Sequence, residues 1–259
     1  GGRAVITAIA AAYEVFCRFA DRIPLKGWDQ GMFAAIGAAC GAGKILGLDQ
    51  AAIGNAISIA ITSGVPLGVT RIGELSMWKG CATAAAVRTA VFAAQLAAEV
   101  MTGPANPFEG RDGLWQHLGV DTPKWEAFGS GAKPFRITAT SFKAYPSVVH
   151  TQGPIGLVLE LRQQVGTAEI ESVHMATYGE AVRRTATEAE KWDPKTRETA
   201  DHSIPYLVAA AFQDGGVTPA TFSPSRVQDP ALRSLIKKLK VVEEPAFTSR
   251  YPAESCTRI

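Results

Sequence analysis

The chain has 259 residues, 47% hydrophobic and 19% charged, with a formal net charge of +2. That length can bury a core of one or two domains, and the composition excludes both a disordered chain and a disulfide-built one. So small a net charge, without a Lys/Arg block, argues against nucleic acid or an anionic membrane surface as a partner, and any basic site must be local.

Residues 3–20, 31–47, 50–64 and 76–101 read as four helices, joined at Pro24, Gly47-Leu48-Asp49 and Pro66-Leu67-Gly68. Their apolar faces are dense in alanine and glycine. Small side chains let backbones approach closely, which predicts a tight helical core. The stretch 51–69 has nearly the length of a membrane span. Asn55, Ser58, Thr62, Ser63 and Pro66 interrupt it, and a buried helix is expected instead. From about residue 103 the texture turns to Gly/Pro-rich loops at Gly103-Pro104, Asn106-Pro107, Gly110, Gly113 and Gly129 to Gly131. Beyond them, 135–142 and 169–178 suggest strands, 153–165, 201–213 and 230–239 suggest helices, and Lys240-Val241-Val242 suggests a further strand. The expected fold class is mostly α with a smaller α+β domain: a helical domain over 1–132 and an α+β domain over 133–259, with a cleft between them. The chain enters helical pattern directly after Gly1-Gly2-Arg3 and closes at Ile259 in a polar segment, so a piece of a longer protein is expected.

Candidate site residues gather at helix mouths. Ser76 is a natural N-cap that places Lys79 at the third helical position, where the helix dipole disfavours a cation. Either Lys79 is a solvated surface lysine, or it shares an anion with the backbone N–H groups. Asp29 and Gln30 precede helix 31–47, and Asp29 can be a simple cap. His150 and Gln152 follow the extended entry of Tyr145-Pro146 and precede a helix, which puts an imidazole and an amide at its mouth. Asp201 is a good N-cap for the next helix, but capping does not account for His202 or Tyr206. His117 and His174 read as surface or packing residues. Convergence of such mouths is what a polyanionic small molecule needs. Cys17, Cys40, Cys81 and Cys256 are far apart with no C-x-x-C pair, which argues against zinc or an iron–sulfur cluster and for a reducing compartment.

The runs GWDQGMFAAIGAACGAGKILGLD, GELSMWKGCATAAAVRTAVFAAQLA, TGPANPFEGRDGL, FKAYPSVVHTQ, DHSIPYLVAAAFQDGGVT and EEPAFTSRYPAES resemble the MmgE/PrpD family in its own order. That family contains 2-methylcitrate dehydratases and cis-aconitate decarboxylases. The resemblance implies a large helical core domain, a smaller α+β lid domain and usually a homodimer. It also implies further chain at both ends, with part of the active site in the N-terminal stretch. By the same resemblance, Lys79 matches a carboxylate-binding lysine in a WKG pattern. Asp29 and Gln30 match an Asp-His position at which Gln30 departs from the family, putting in doubt proton transfer there. His150 and Gln152 match an H-x-Q pattern nearer the dehydratases, and Asp201, His202 and Tyr206 match DHxIxY.

The implied activity is dehydration of a small tricarboxylate, 2-methylcitrate to 2-methyl-cis-aconitate, without metal or cofactor, in the cytoplasm or, in a eukaryote, the mitochondrial matrix. Eliminating water needs a base, an acid and cations for the carboxylates. His150 is the leading acid/base candidate, with Asp29 beside it in the catalytic set. His202 and Tyr206 are its partners or substrate positioners. Lys79 and Arg71 are carboxylate anchors, with Gln30 and Gln152 as further binding residues. The alternatives are a cis-aconitate decarboxylase or another lyase or epimerase of the family, a catalytically silent carboxylate-binding protein, and a helical scaffold whose polar mouths are only caps.

Overall fold

The computed structural model describes residues 1–129, 133–166 and 170–259. Most of the expected Gly129–Gly131 loop, the expected boundary residue 132 and the start of the expected strand at 169 lie outside them. The chain divides into two units: Gly1–Arg71 with Met77–Ser141, and Ile72–Ser76 with Phe142–Ile259. The second unit thus begins at Phe142 and borrows a short segment from between two helices of the first.

Unit 1 is built on α1 (Gly2–Arg22), α2 (Gly31–Leu46), α3 (Gln50–Ser63) and α4 (Trp78–Ala98), followed by the short α5 (Leu114–Leu118). The small residues do what their size allows. A Cβ at Gly37 would lie 2.4 Å from the Ala12 carbonyl oxygen and one at Gly41 2.8 Å from that of Ala8, so α1 and α2 meet backbone to backbone. Ala35 and Ala39 of α2, Ala56 and Ala60 of α3, and Ala86, Ala90, Ala93 and Ala94 of α4 form one buried cluster. Helix α4 is long and apolar enough to cross a membrane by length and composition, yet this row of alanines is packed inside the unit. Phe19, Phe33, Leu114, Trp115 and Leu118 make a second core, and His117 rides on α5.

Two expectations fail here for identifiable reasons. Helix α4 starts at Trp78 with Met77 as its N-cap, so Ser76 does not cap it and Lys79 is its second residue. Ser76 is drawn away with the segment that belongs to unit 2. The expected strand at 135–142 is instead a 3-10 turn over Arg136–Ala139. Thr138 and Thr140 donate back to the Phe135 and Ile137 carbonyls, and buried Glu14 accepts the Arg136 N–H at 2.5 Å. Two local bonds and one to a residue far away in the chain satisfy backbone groups that a strand would have offered to a neighbour.

Unit 2 contains α6 (Gln152–Val165), α7 (Gly179–Thr185), α8 (Ala189–Trp192), α9 (Arg197–Ala200), α10 (Ile204–Asp214), α11 (Pro224–Val227), α12 (Pro230–Ile236) and α13 (Pro245–Thr248). Its strands β1 (Val173–Thr177), β2 (Leu239–Glu243) and β3 (Thr257–Arg258) form a sheet of order β2-β1-β3 among the described residues. β1 runs parallel to β2, with Val173 opposite Leu239, and antiparallel to β3, with Ala176 opposite Arg258. His174 is the exposed residue of β1, as its alternation requires. Buried Ile204, Tyr206, Leu207 and Val208 make α10 the centre of this core, packed against Ile155, Met175 and Leu232. The helix begins after Ser203, whose hydroxyl accepts the Tyr206 N–H at 3.0 Å. Asp201 therefore ends α9 rather than capping α10.

Candidate functional site

In unit 2 the turn that carries His150 is held from several sides. Gln152, the first residue of α6, accepts the Tyr145 N–H at 3.0 Å, and its amide nitrogen donates to the Tyr145 carbonyl at 3.1 Å and to Ser147 Oγ at 3.0 Å. Its polar atoms are spent on the loop before the helix. The Val148 N–H donates to the Asp201 carbonyl at 3.0 Å, which ties this turn to the residue next to His202. The imidazole is thus fixed by backbone on both sides of it.

His150 Nδ1 lies 2.8 Å from the Tyr178 hydroxyl. Tyr178 is buried at the end of β1 and stacks on Tyr251 with ring centroids 4.5 Å apart. Burial pushes the phenol pKa up, outweighing the Ser255 side chain, which lowers it, so Tyr178 stays neutral and can donate or accept. When the phenol oxygen accepts from Nδ1–H, the His150 Nε2 lone pair is left as a base. Burial also holds the His150 pKa below the ordinary histidine value; Glu180 raises it, while Arg184, His202 and Arg183 lower it further. A neutral imidazole with a lone pair near neutral pH is what proton abstraction needs.

His202 pairs through Nδ1 with Asp201 Oδ1, an arrangement that fixes the ring and favours a proton on that nitrogen. Tyr206 lies in the core of unit 2. It is fully buried, its hydroxyl donates to the Thr221 carbonyl at 2.5 Å, and burial pushes its pKa up to about 12. The structure therefore brings His150 into electrostatic reach of His202 and places Tyr206 in the core. Sequence reasoning missed Tyr178 and Tyr251. Tyr178 carried one available signal, since it sits where the strand alternation ends and the next helix begins.

In unit 1, Asp29 is buried and accepts the Gly31 N–H at 2.8 Å and Arg71 Nε at 2.5 Å. Arg71 also reaches Thr83 Oγ1 on α4 at 3.3 Å. Asp29 thereby joins the start of α2 to the guanidinium, and Gln30 beside it is exposed. Lys79 is half-buried on the first turn of α4, among exposed Met77, Trp78 and Gly80. An open groove of about 550 Å³ lies between α1, α2 and α4, lined by Ile9, Tyr13, Phe16, Ile45, Val87 and Val91. Among the described residues its lining holds no carboxylate, imidazole or amine.

The class defined so far is an alanine-packed helical unit with basic and acidic groups at its helix mouths, joined to an α+β unit with a histidine–tyrosine pair. The MmgE/PrpD N-terminal domain matches residues 1–126 and the MmgE/PrpD C-terminal domain matches 145–259, so the chain belongs to the MmgE/PrpD family. It is 27% identical over 264 residues to the 2-methylcitrate dehydratase of Escherichia coli K12, covering 95% of this chain and 52% of that protein. The 2-methylcitrate dehydratase of Salmonella typhimurium is 28% identical over 240 residues, covering 87% and 47%. That of Cupriavidus necator is 24% identical over 274 residues, covering 96% and 52%. The chain spans about half the length of the curated relatives it matches.

Proposed function

We propose that the protein carrying this chain is a carbon–oxygen hydro-lyase that dehydrates a small tricarboxylate, 2-methylcitrate, to 2-methyl-cis-aconitate. The family and the names of its relatives support the reaction class. The observation that carries the reading is the His150–Tyr178 pair: an imidazole held neutral by burial and oriented at 2.8 Å by a neutral phenol. In this reading His150 takes the proton next to a substrate carboxylate. His202, fixed by Asp201, stands as the second imidazole and donates to the departing hydroxyl. Arg71 and Lys79 bind carboxylates, with Asp29 orienting Arg71. The proposal includes a homodimer in the cytoplasm and no metal or cofactor, so activity is expected to survive a chelator.

The test uses the protein at its full natural length with 2-methylcitrate, citrate and cis-aconitate in separate reactions, following alkene absorbance and carbon dioxide together. Alkene formed from 2-methylcitrate without carbon dioxide is the expected result. Carbon dioxide released from cis-aconitate, with no alkene formed from 2-methylcitrate, would reassign the protein as a decarboxylase. Activity lost on chelation and restored by a metal ion would remove the metal-independent mechanism.

A further inference from the structure

Within unit 2, helix α7 begins directly after the Tyr178 that orients His150, and it packs against the turn Val149–Thr151 that carries the imidazole. The helix is short, so its charged residues stand close together, with Glu180 in the first turn and Arg183 and Arg184 in the last. Glu180 Oε1 accepts Arg184 Nε at 2.9 Å and Glu180 Oε2 accepts Arg183 Nε at 3.0 Å, across the spacings that bring side chains together on a helix. Arg183 also gives Nη2 to the same oxygen, so its fork is closed on the carboxylate. Arg184 is held by Nε alone. Among the described residues its terminal nitrogens have no hydrogen-bond partner, and its side chain is 40% exposed.

A glutamate near the start of a helix and arginines near its end complement the helix dipole, and exposed pairs of this kind contribute little to stability. That accounts for the charges but not for their place. The charged and titratable groups that act on His150 are Glu180, Arg184, His202 and Arg183, with Arg184 the stronger of the two arginines. Two guanidiniums therefore face one carboxylate beside an imidazole that burial keeps neutral. The surplus positive charge makes these surroundings a site for an anion.

We propose that Arg184, steadied by Glu180 beside the His150–Tyr178 pair, is a substrate-binding residue whose terminal nitrogens receive the carboxylate next to the proton that His150 takes. In the dehydration proposed above, on which this rests, His150 Nε2 takes the proton as the C–H bond breaks, and the electron pair spreads onto the adjacent carboxylate. The pair then closes the carbon–carbon double bond as the C–O bond breaks, and the hydroxyl leaves as water with a proton from His202. Negative charge on that carboxylate peaks between the two events, where a guanidinium fork donating parallel bonds stabilises it most. Glu180, by holding Nε, leaves the end of the guanidinium open to the substrate.

The experiment compares Arg184→Gln, Arg184→Lys and Arg183→Gln with the wild type in the full-length protein. Kinetics use 2-methylcitrate, and calorimetry uses tricarballylate, a tricarboxylate with no hydroxyl to lose. Arg184→Gln is expected to lower kcat/KM about a hundredfold, mostly in kcat, and to weaken tricarballylate binding about tenfold. Arg184→Lys keeps the charge but not the fork, and should remain about tenfold below the wild type in kcat/KM. Arg183→Gln removes the same charge from the same helix and should stay within about threefold. Equal losses in Arg183→Gln and Arg184→Gln, or wild-type values in Arg184→Gln, would overturn the inference. The proposed reaction can fail separately. If the wild type binds tricarballylate without dehydrating 2-methylcitrate, weaker binding in Arg184→Gln still supports the carboxylate site and unchanged binding overturns it. A wild type with neither binding nor turnover overturns both. Should Arg184→Gln not fold, Arg184→Lys decides the matter: a loss of about tenfold supports the inference, and wild-type values overturn it.

Discussion

Unit 1 packs its helices on alanine and glycine, whereas unit 2 surrounds α10 with Tyr206, Leu207, Ile155, Met175 and Leu232. Their buried polar groups differ in the same way. In unit 1 Glu14 accepts two backbone N–H groups and an arginine, and Asp29 accepts one backbone N–H and an arginine, so each carboxylate is held in place by the fold. His150 in unit 2 is only half-buried and is oriented by a neutral phenol rather than a charge. A locked carboxylate serves architecture. A group that must gain and lose a proton within turnover needs a partner that fixes its direction without fixing its charge. The buried carboxylates of the helical unit hold its geometry, and the α+β unit keeps a group able to titrate.

The sharpest way to break this contrast is His150→Gln in the full-length protein. It should lower kcat on the order of 10²–10⁴-fold, as removal of a general base does. The acidic limb of the wild-type kcat/KM profile should lie below the ordinary histidine pKa of about 6.5, because burial disfavours the imidazolium, and it should vanish in the variant. A variant with near-normal kcat and an intact limb would make His150 structural. Tyr178→Phe refines the test: it keeps the ring stack on Tyr251 but removes the hydroxyl, and should displace the limb with a smaller fall in kcat.

The alanine–glycine side of the comparison is tested by Gly37→Val. The new Cβ meets the Ala12 carbonyl oxygen, a backbone atom that cannot swing away, and the cost should reach about 3 kcal/mol, the upper part of the range for overpacking. Urea unfolding followed by circular dichroism measures it, and a loss below about 1 kcal/mol would mean that α1 and α2 are not so close.

Lys79→Ala should reduce kcat/KM about ten- to a hundredfold while leaving the unfolding transition near that of the wild type, since a charged hydrogen bond contributes roughly 1.5–3 kcal/mol. Equal kcat/KM values would remove Lys79 from substrate binding.

The smallest expected effect concerns Glu14. Burial alone would raise its pKa, but the N–H groups of Arg136 and Gly129, together with Arg18, more than reverse this and the net shift is downward. A depressed folded pKa stabilises above the unfolded carboxylate value of about 4.3, and that stability is lost as pH falls through the folded value. Glu14→Gln should therefore cost about 1–3 kcal/mol at neutral pH and show a flatter decline below about pH 4. Parallel stability curves for the two proteins would show that Glu14 is not the group that titrates.

By itself the sequence determined the four helices of unit 1, the helices expected over 153–165, 201–213 and 230–239 and found at Gln152–Val165, Ile204–Asp214 and Pro230–Ile236, and the strands expected within 169–178 and from 240 and found at Val173–Thr177 and Leu239–Glu243. Period, caps and turn residues act within one or two turns of chain, so they are readable locally. The family motifs marked His150, Lys79 and the Asp201-His202 pair. Tertiary structure alone decided what each polar group does. Gln152 and Tyr206 carry the same chemistry as a ligand would, but one is consumed by the Tyr145 loop and the other by the Thr221 carbonyl. Tyr178 reaches His150 across 28 positions, and residues 135–142 forgo a strand because Glu14, more than a hundred positions earlier, takes the Arg136 N–H. Partners so distant in sequence are fixed only by which backbones meet, and that depends on the packing of whole elements rather than on any local preference.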